Sequence, residues 1–215
     1  MRTILLIICL LAFLSTALSL LSYYLLYVMN QLDNELSFHF NRKDSILFTV
    51  FLFFSAILLM YKDQGLFTPH LIYSTIFLGY LYITAWIDFY TMRVYRIVCF
   101  IFCGVGLGSF IISKPSTETI FGIIIYFAFL FILSISNIFG LGDTWIYLSV
   151  SFYLVTLNYQ EWTIIILLIH NVLSSFLFLS LNVKNLELKK MKMKNEIALA
   201  PSIGIATWIM TMLNY

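Results

Sequence analysis

The sequence predicts an all-α protein, a polytopic membrane bundle of about eight transmembrane helices. Hydrophobic residues make up 62% of the chain and charged residues 10%, with a mean hydropathy of +0.98. A soluble domain needs more polar surface than this, whereas a bundle that faces lipid does not. Because one crossing takes about 20 residues, the chain of 215 residues holds roughly eight helices with short connections. We therefore expect a single integral-membrane domain over residues 1–215.

Eight apolar runs account for the predicted helices. The first run, over residues 4–29, is longer than the core of a secretory signal (about 7 to 15 residues), so a retained helix is expected. The other runs cover residues 46–61, 71–87, 97–113, 120–139, 145–157, 163–182 and 197–213. The second and sixth runs are short, and about seven helices with one re-entrant segment stay an alternative.

Basic residues are divided unevenly between the connections that join these runs. If the connections are numbered in order, the odd ones hold nine Lys and Arg residues, whereas the even ones and the two termini hold three. The nine are Arg42, Lys43, Arg93, Arg96, Lys184, Lys189, Lys190, Lys192 and Lys194, and the three are Arg2, Lys62 and Lys114. Short cytoplasmic loops are enriched in Lys and Arg, so the odd connections are predicted to be cytoplasmic and both termini outside the cell membrane.

Cofactors, metals and nucleic acid are not expected as partners, whereas membrane lipid is. The net charge of +2 is too small to indicate nucleic acid. Cys9, Cys99 and Cys103 lack the paired spacing of a zinc site, and we expect Cys99 and Cys103 to be small core residues. His170 stands beside Asn171 in a long apolar run, where a hydrogen bond between helices is expected rather than a ligand.

Two aspartates stand at ends of apolar runs on the same predicted side of the membrane. Asp88 follows the third run, and Asp143 precedes the sixth, directly after Gly140 and Gly142. Pro201 opens the last run at the same predicted face. The glycines would let the backbone turn tightly and approach another segment closely. Ionisable groups at a membrane are costly, so their default interpretation is functional.

Each of these residues also has a purely structural interpretation. Asp143 could cap the helix that follows, because aspartate is a preferred N-cap residue. Asp88 could be an ordinary interfacial residue near Arg93 and Arg96. Pro201 could be a proline of the first helical turn, where its missing N–H would be unpaired anyway. Their convergence on one predicted face favours a functional site.

Two carboxylates that lie close together can carry out peptide hydrolysis. They cannot both ionise at low cost, so they share a proton and titrate as a pair. One then acts as a base on water while the other, protonated, polarises a carbonyl group, as in aspartic proteases. Asp88 and Asp143 are therefore the candidate catalytic pair.

Three segments resemble the type IV prepilin peptidase family of GxGD aspartic peptidases. They are residues 88–94, the motif Gly140-Leu141-Gly142-Asp143, and residues 198–204, and the resemblance covers roughly the last 130 residues. Members of that family remove a short basic leader from prepilins or pseudopilins at the cytoplasmic face. The resemblance implies catalytic roles for Asp88 and Asp143, and supporting or substrate-binding roles for Gly140, Gly142 and Pro201.

The resemblance also implies divergent helices over residues 1–69 and a catalytic core over residues 70–215. Many bacterial members carry two CxxC pairs in the first cytoplasmic loop and methylate the product with S-adenosylmethionine. Residues 30–45 contain no cysteine, so methyl transfer is not expected. The chain departs from the family pattern at Tyr95, where proline is usual, and at Trp145, where lysine is frequent. Its small size would suit a late-competence peptidase.

Two alternatives stay open from the sequence. The presenilin and signal-peptide-peptidase group also uses Gly-Leu-Gly-Asp, but its first aspartate follows Tyr deep within a helix. A non-enzymatic membrane carrier would use the aspartates as a proton or cation site, and would place them near the bilayer midplane.

Overall fold

The computed structural model describes residues 9–10, 12–17, 19–21, 23–24, 27–28, 41–62, 69–91, 94, 96–136, 140–157, 162–182, 186–187, 192–193 and 198–213. These residues are overwhelmingly helical, which confirms the all-α class. Helix α1 comprises the described helical residues between 9 and 28. The other helices are α2 (Arg42–Lys62), α3 (Pro69–Thr91), α4 (Arg96–Ile112), α5 (Thr117–Ile135), α6 (Leu141–Thr156), α7 (Thr163–Asn182) and α8 (Ala200–Leu213).

Four of the described helices are long and apolar enough to cross a membrane. These spans are Lys43–Tyr61, Pro69–Tyr90, Thr117–Ile135 and Thr163–Leu181. Shorter apolar helices cover Val98–Ile112 and Ala200–Leu213. The chain is therefore a helical membrane protein, as predicted, and the number of crossings stays a prediction.

Helix α2 begins before the apolar run that predicted it. Asn41 precedes the helix, and its Oδ1 accepts hydrogen bonds from the amides of Lys43 at 2.8 Å and Asp44 at 3.1 Å. The Asp44 carboxylate accepts in return from the Asn41 amide at 3.0 Å. This reciprocal capping box pairs amides that the first turn leaves without partners. The second run is therefore part of a helix of 21 residues, long enough to cross a membrane.

A small β-hairpin lies between α7 and α8, within the lysine-rich seventh connection. Strand β1 (Leu186–Glu187) pairs antiparallel with β2 (Lys192–Met193). Leu186 is opposite Met193, and Glu187 is opposite Lys192. This element was not predicted from the sequence.

The chain divides into two compact units, with a boundary inside α3. One comprises Met1–Ile83 with Tyr215, and the other Thr84–Asn214. In the first unit α2 and α3 pack closely, because a Cβ on Gly79 would lie 3.0 Å from Leu52 Cδ2. The division at residue 70 rests on the family resemblance and stays a prediction.

Helix α6 is the centre of the second unit. It packs against α4, α5, α7 and α8. Eleven of its sixteen residues are buried, and a helix buried on all sides belongs to the core rather than the lipid surface. On one side it approaches α4 closely, since a Cβ on Gly106 would lie 3.1 Å from Phe152 Cβ. Small residues at such crossings let membrane helices come together.

Polar side chains link α7 to its neighbours. The Tyr126 hydroxyl of α5 donates to Asn171 Oδ1 at 3.0 Å. His170 Nε2 and Thr207 Oγ1 of α8 are hydrogen-bonded at 3.0 Å, which confirms the predicted bond between helices. Cys99 and Cys103 are both buried in α4, as expected of small core residues.

Candidate functional site

Asp88 lies close to the C-terminal end of α3 and is 5% exposed. Among the Asp, Glu, Lys and Arg residues whose side chains the structure describes, it alone is buried. A buried carboxylate is costly unless hydrogen bonds replace the water it has lost. A buried carboxylate at position 88 is therefore stable only if hydrogen-bond donors contact it.

The partners of Asp88 are backbone amides at the beginning of α8. Asp88 Oδ2 accepts from the Ala200 amide at 2.9 Å, and the carboxylate also accepts from the Leu199 amide. The Leu199 carbonyl accepts from the Ile203 amide, so Leu199 is the N-cap of α8. The N-terminus of a helix offers unpaired amides and a partial positive charge, and both favour a bound carboxylate.

Pro201 lies in the first turn of α8, next to Ala200. It has no N–H, and at this position a helix makes no use of one. The backbone of Pro201 is therefore explained by its place in the first helical turn, as the structural interpretation predicted. Its neighbour Ala200 nevertheless binds Asp88, so the proline-bearing segment and Asp88 are brought together.

Asp143 is the third residue of α6 and is partly buried. The N-cap position belongs to Gly140, and the Gly140 amide donates to the Asp143 carboxylate. This is the backward bond of a capping box, in which the third residue reaches the N-cap amide. Asp143 therefore supports its own helix from within the first turn, but it does not occupy the N-cap position.

The two glycines provide space rather than a special turn. Gly140 has φ −67° and ψ 150°, values that any residue can adopt, so its backbone conformation does not itself require glycine. A Cβ on Gly140 would lie 3.0 Å from Asp143 Oδ2, and one on Gly142 would lie 3.2 Å from Val94 Cβ. The expected close approach is confirmed, and Val94 belongs to the segment that follows Asp88.

The two aspartates are near enough to act on each other electrostatically. The C-terminal end of α3 therefore meets the N-terminal ends of α6 and α8. All these residues lie in the unit Thr84–Asn214. Arg93 and Tyr95 are outside the described residues, and so is the side chain of Arg96.

Three parts of the site were not identified from the sequence. They are the amides of Leu199 and Ala200, the contact of Val94 with Gly142, and Tyr147. Tyr147 follows Asp143 by one helical turn and interacts with it electrostatically. Its buried hydroxyl shares a hydrogen bond of 2.6 Å with Ser174 Oγ of α7. The spacing of four residues in one helix could have indicated Tyr147, whereas backbone donors leave no signal in side-chain types.

Within the described residues, no group of three or more His, Cys, Asp or Glu side chains is placed to hold a metal ion. The groups that the structure brings to the site are two carboxylates and backbone amides. Comparison of the chain with protein-family models, curated proteins and solved structures finds no match.

Proposed function

We propose that this protein is an aspartic endopeptidase of the prepilin peptidase type, which removes the short basic leader of a prepilin or pseudopilin at the cytoplasmic face of the membrane. The observation that carries the proposal is that Asp88 and Asp143, from helix ends well separated in the chain, lie near enough to interact electrostatically. Charged groups are rare in this chain, so two carboxylates near each other at the ends of membrane helices need a chemical reason.

The hydrolysis follows from one proton shared by two carboxyl groups. The ionised carboxylate takes a proton from a water molecule, whose oxygen attacks the carbonyl carbon of the scissile peptide bond. The protonated carboxyl group donates a hydrogen bond to the carbonyl oxygen and stabilises the charge that develops there. Transfer of a proton to the leaving nitrogen breaks the C–N bond. The products are a new carboxylate and a new N-terminal amine.

The position of the pair supports a peptidase over a carrier. A carrier site is expected near the bilayer midplane, whereas Asp88 is close to the end of α3 and Asp143 is in the first turn of α6. At a helix end, an extended peptide can reach the carboxylates while the transmembrane helix of the substrate contributes binding energy. The excess of basic residues in the odd connections supports a cytoplasmic location.

Processing of a co-expressed pseudopilin tests the proposal. We expect Asp88→Asn and Asp143→Asn to leave the protein in the membrane and to reduce leader removal by about 100-fold or more, because each removes one acid–base group. Glu118→Gln is the matched control, since Glu118 is an exposed acid in the first turn of α5. Leader removal by Asp143→Asn at the rate of the unmodified enzyme would exclude the mechanism.

A further inference from the structure

The backbone amides of Leu199, Ala200, Ser202 and Ile203, at the N-terminus of α8, each have an identified acceptor. The amides of Ser202 and Ile203 both donate to the Leu199 carbonyl, at 3.0 and 3.3 Å. Pro201 has no N–H. The two remaining amides, of Leu199 and Ala200, both donate to Asp88. The first amides of a helix have no acceptor within that helix. In α8 the amides of Leu199 and Ala200 donate instead to a single side chain of another helix, Asp88 of α3.

The two aspartates differ in the number of amides they receive. Asp88 accepts two from α8, whereas Asp143 accepts one, from Gly140 of its own helix. An amide N–H can only donate, so each such bond favours the ionised form of the carboxyl group that accepts it. Each aspartate also faces a helix N-terminus, α8 for Asp88 and α6 for Asp143, whose dipole favours its charged form, whereas the C-terminal end of α3 acts against a charge on Asp88.

Burial acts in the opposite direction, because Asp88 is more buried than Asp143. A buried carboxylate is costly chiefly when it lacks donors, and Asp88 has two. A bound carboxylate also completes the pairing of the α8 amides, which a protonated group would leave with a weaker acceptor. Burial acts against the charged form of both carboxyl groups, and the additional donor to Asp88 offsets part of that cost for Asp88.

We propose that the N-terminus of α8 is the positioning element of the pair: the amides of Leu199 and Ala200 hold Asp88 as the ionised base, and Asp143 carries the shared proton. The catalytic roles in this assignment rest on the peptidase function proposed above. The charge assignment itself concerns only the folded protein, and can be measured without any substrate.

The first experiment compares the thermal unfolding of two matched variants, Asp88→Asn and Asp143→Asn, in lipid nanodiscs. Asparagine resembles a protonated aspartate, so at position 143 we expect little change in Tm. At position 88 it replaces an ionised acceptor and turns an NH₂ group toward amide donors, and we expect Tm to fall by about 3 °C or more. An equal fall in both variants, or a larger fall for Asp143→Asn, would overturn the assignment. This result stands whether or not the protein cleaves prepilins.

The second experiment removes the donor itself. Replacing Ala200 by L-lactate, through nonsense suppression, exchanges the amide for an ester and leaves the side chain unchanged. We expect kcat for leader removal to fall about tenfold or more with KM unchanged, because the bond orients the base and does not touch the substrate. Ala200→Gly keeps the N–H but loses the buried methyl group, and serves as the packing control.

An ester variant with the kcat of the unmodified enzyme would contradict positioning by α8, and so would an equal loss in Ala200→Gly. If the unmodified protein removes no leader under any condition, the proposed function fails. The comparison of Tm values then still decides the charge assignment.

Discussion

At the scale of single residues, the site depends on two glycines, Gly140 and Gly142, whose lack of a Cβ leaves room for neighbouring atoms. Gly140 is the N-cap of α6, yet its backbone angles are ordinary. Because glycine has no Cβ, there is room here for the Asp143 carboxylate. A Cβ on Gly140 would lie only 3.0 Å from Asp143 Oδ2. Gly142 similarly admits Val94. The spacing Gly-x-Gly-Asp therefore provides one opening for the carboxylate and another for the segment that follows Asp88.

Gly140→Ala should displace the Asp143 carboxylate without unfolding the protein. The added methyl group must push Oδ2 away, and the bond from the Gly140 amide then lengthens. The carboxylate needs to move by only a few tenths of an ångström, so we expect leader removal to slow by about tenfold, less than the roughly 100-fold cost of a 1 Å misplacement. The same change at Gly104, where nothing lies within 4 Å of the new Cβ, is the control. Unchanged cleavage by Gly140→Ala would contradict a reacting position for this carboxylate.

The carboxylates of the site could be proposed from the sequence because charge is rare in an apolar chain. Asp88 and Asp143 stand out against 10% charged residues. The donors to Asp88 could not be proposed, because a backbone amide is present at every residue except proline. Pro201 marked the beginning of α8, but it did not show that Leu199 and Ala200 donate to a side chain of α3.

At the scale of elements, hydrophobic runs predicted the interiors of the helices better than their ends. The run over residues 163–182 coincides with α7, whereas α2 begins earlier than its run because Asn41 and Asp44 form a capping box. Capping depends on local hydrogen bonds rather than hydropathy. The hairpin of β1 and β2 has strands of two residues, too short to leave a recognisable alternation of side chains.

The crossing of α4 and α6 makes a prediction about packing that is independent of catalysis. Alanine in a helix is normally more stable than glycine by about 0.5 to 1 kcal/mol. At Gly106, however, the new Cβ would lie 3.1 Å from Phe152 Cβ, an atom fixed to the backbone of α6. We expect Gly106→Ala to lower the free energy of unfolding by about 1 to 3 kcal/mol.

Two neighbouring glycines of α4 provide the comparison. A Cβ on Gly104 or Gly108 would meet nothing within 4 Å, so alanine there should be neutral or slightly stabilising. Denaturant unfolding of the three variants in detergent micelles measures the difference. If Gly106→Ala were as stable as the other two, the close packing of α4 on α6 would be wrong.

At the scale of the whole molecule, the meeting of helix ends restricts how the chain crosses the membrane. Between Asp88 and Asp143 the chain runs through α4 and α5, and between Asp143 and Ala200 it runs through α6 and α7. Each pair of helices returns the chain to the side from which it started if both members cross. The hydrogen bond between Asp88 and Ala200 and the electrostatic interaction between Asp88 and Asp143 therefore agree with two crossings in each interval. Which side they share is set by the basic residues.

Reporter fusions test this arrangement in cells. We expect fusions after Arg93 and after Lys190 to report the cytoplasm, and a fusion after Lys114 to report the exterior, because the odd connections hold nine of the twelve basic residues. Fusions that respond to opposite compartments, such as green fluorescent protein and alkaline phosphatase, control for failed expression at each position. An exterior signal after Arg93 with a cytoplasmic signal after Lys190 would place Asp88 and the beginning of α8 on opposite sides of the membrane. The bond between Asp88 and Ala200 could not then exist, and neither the peptidase nor its positioning by α8 would survive.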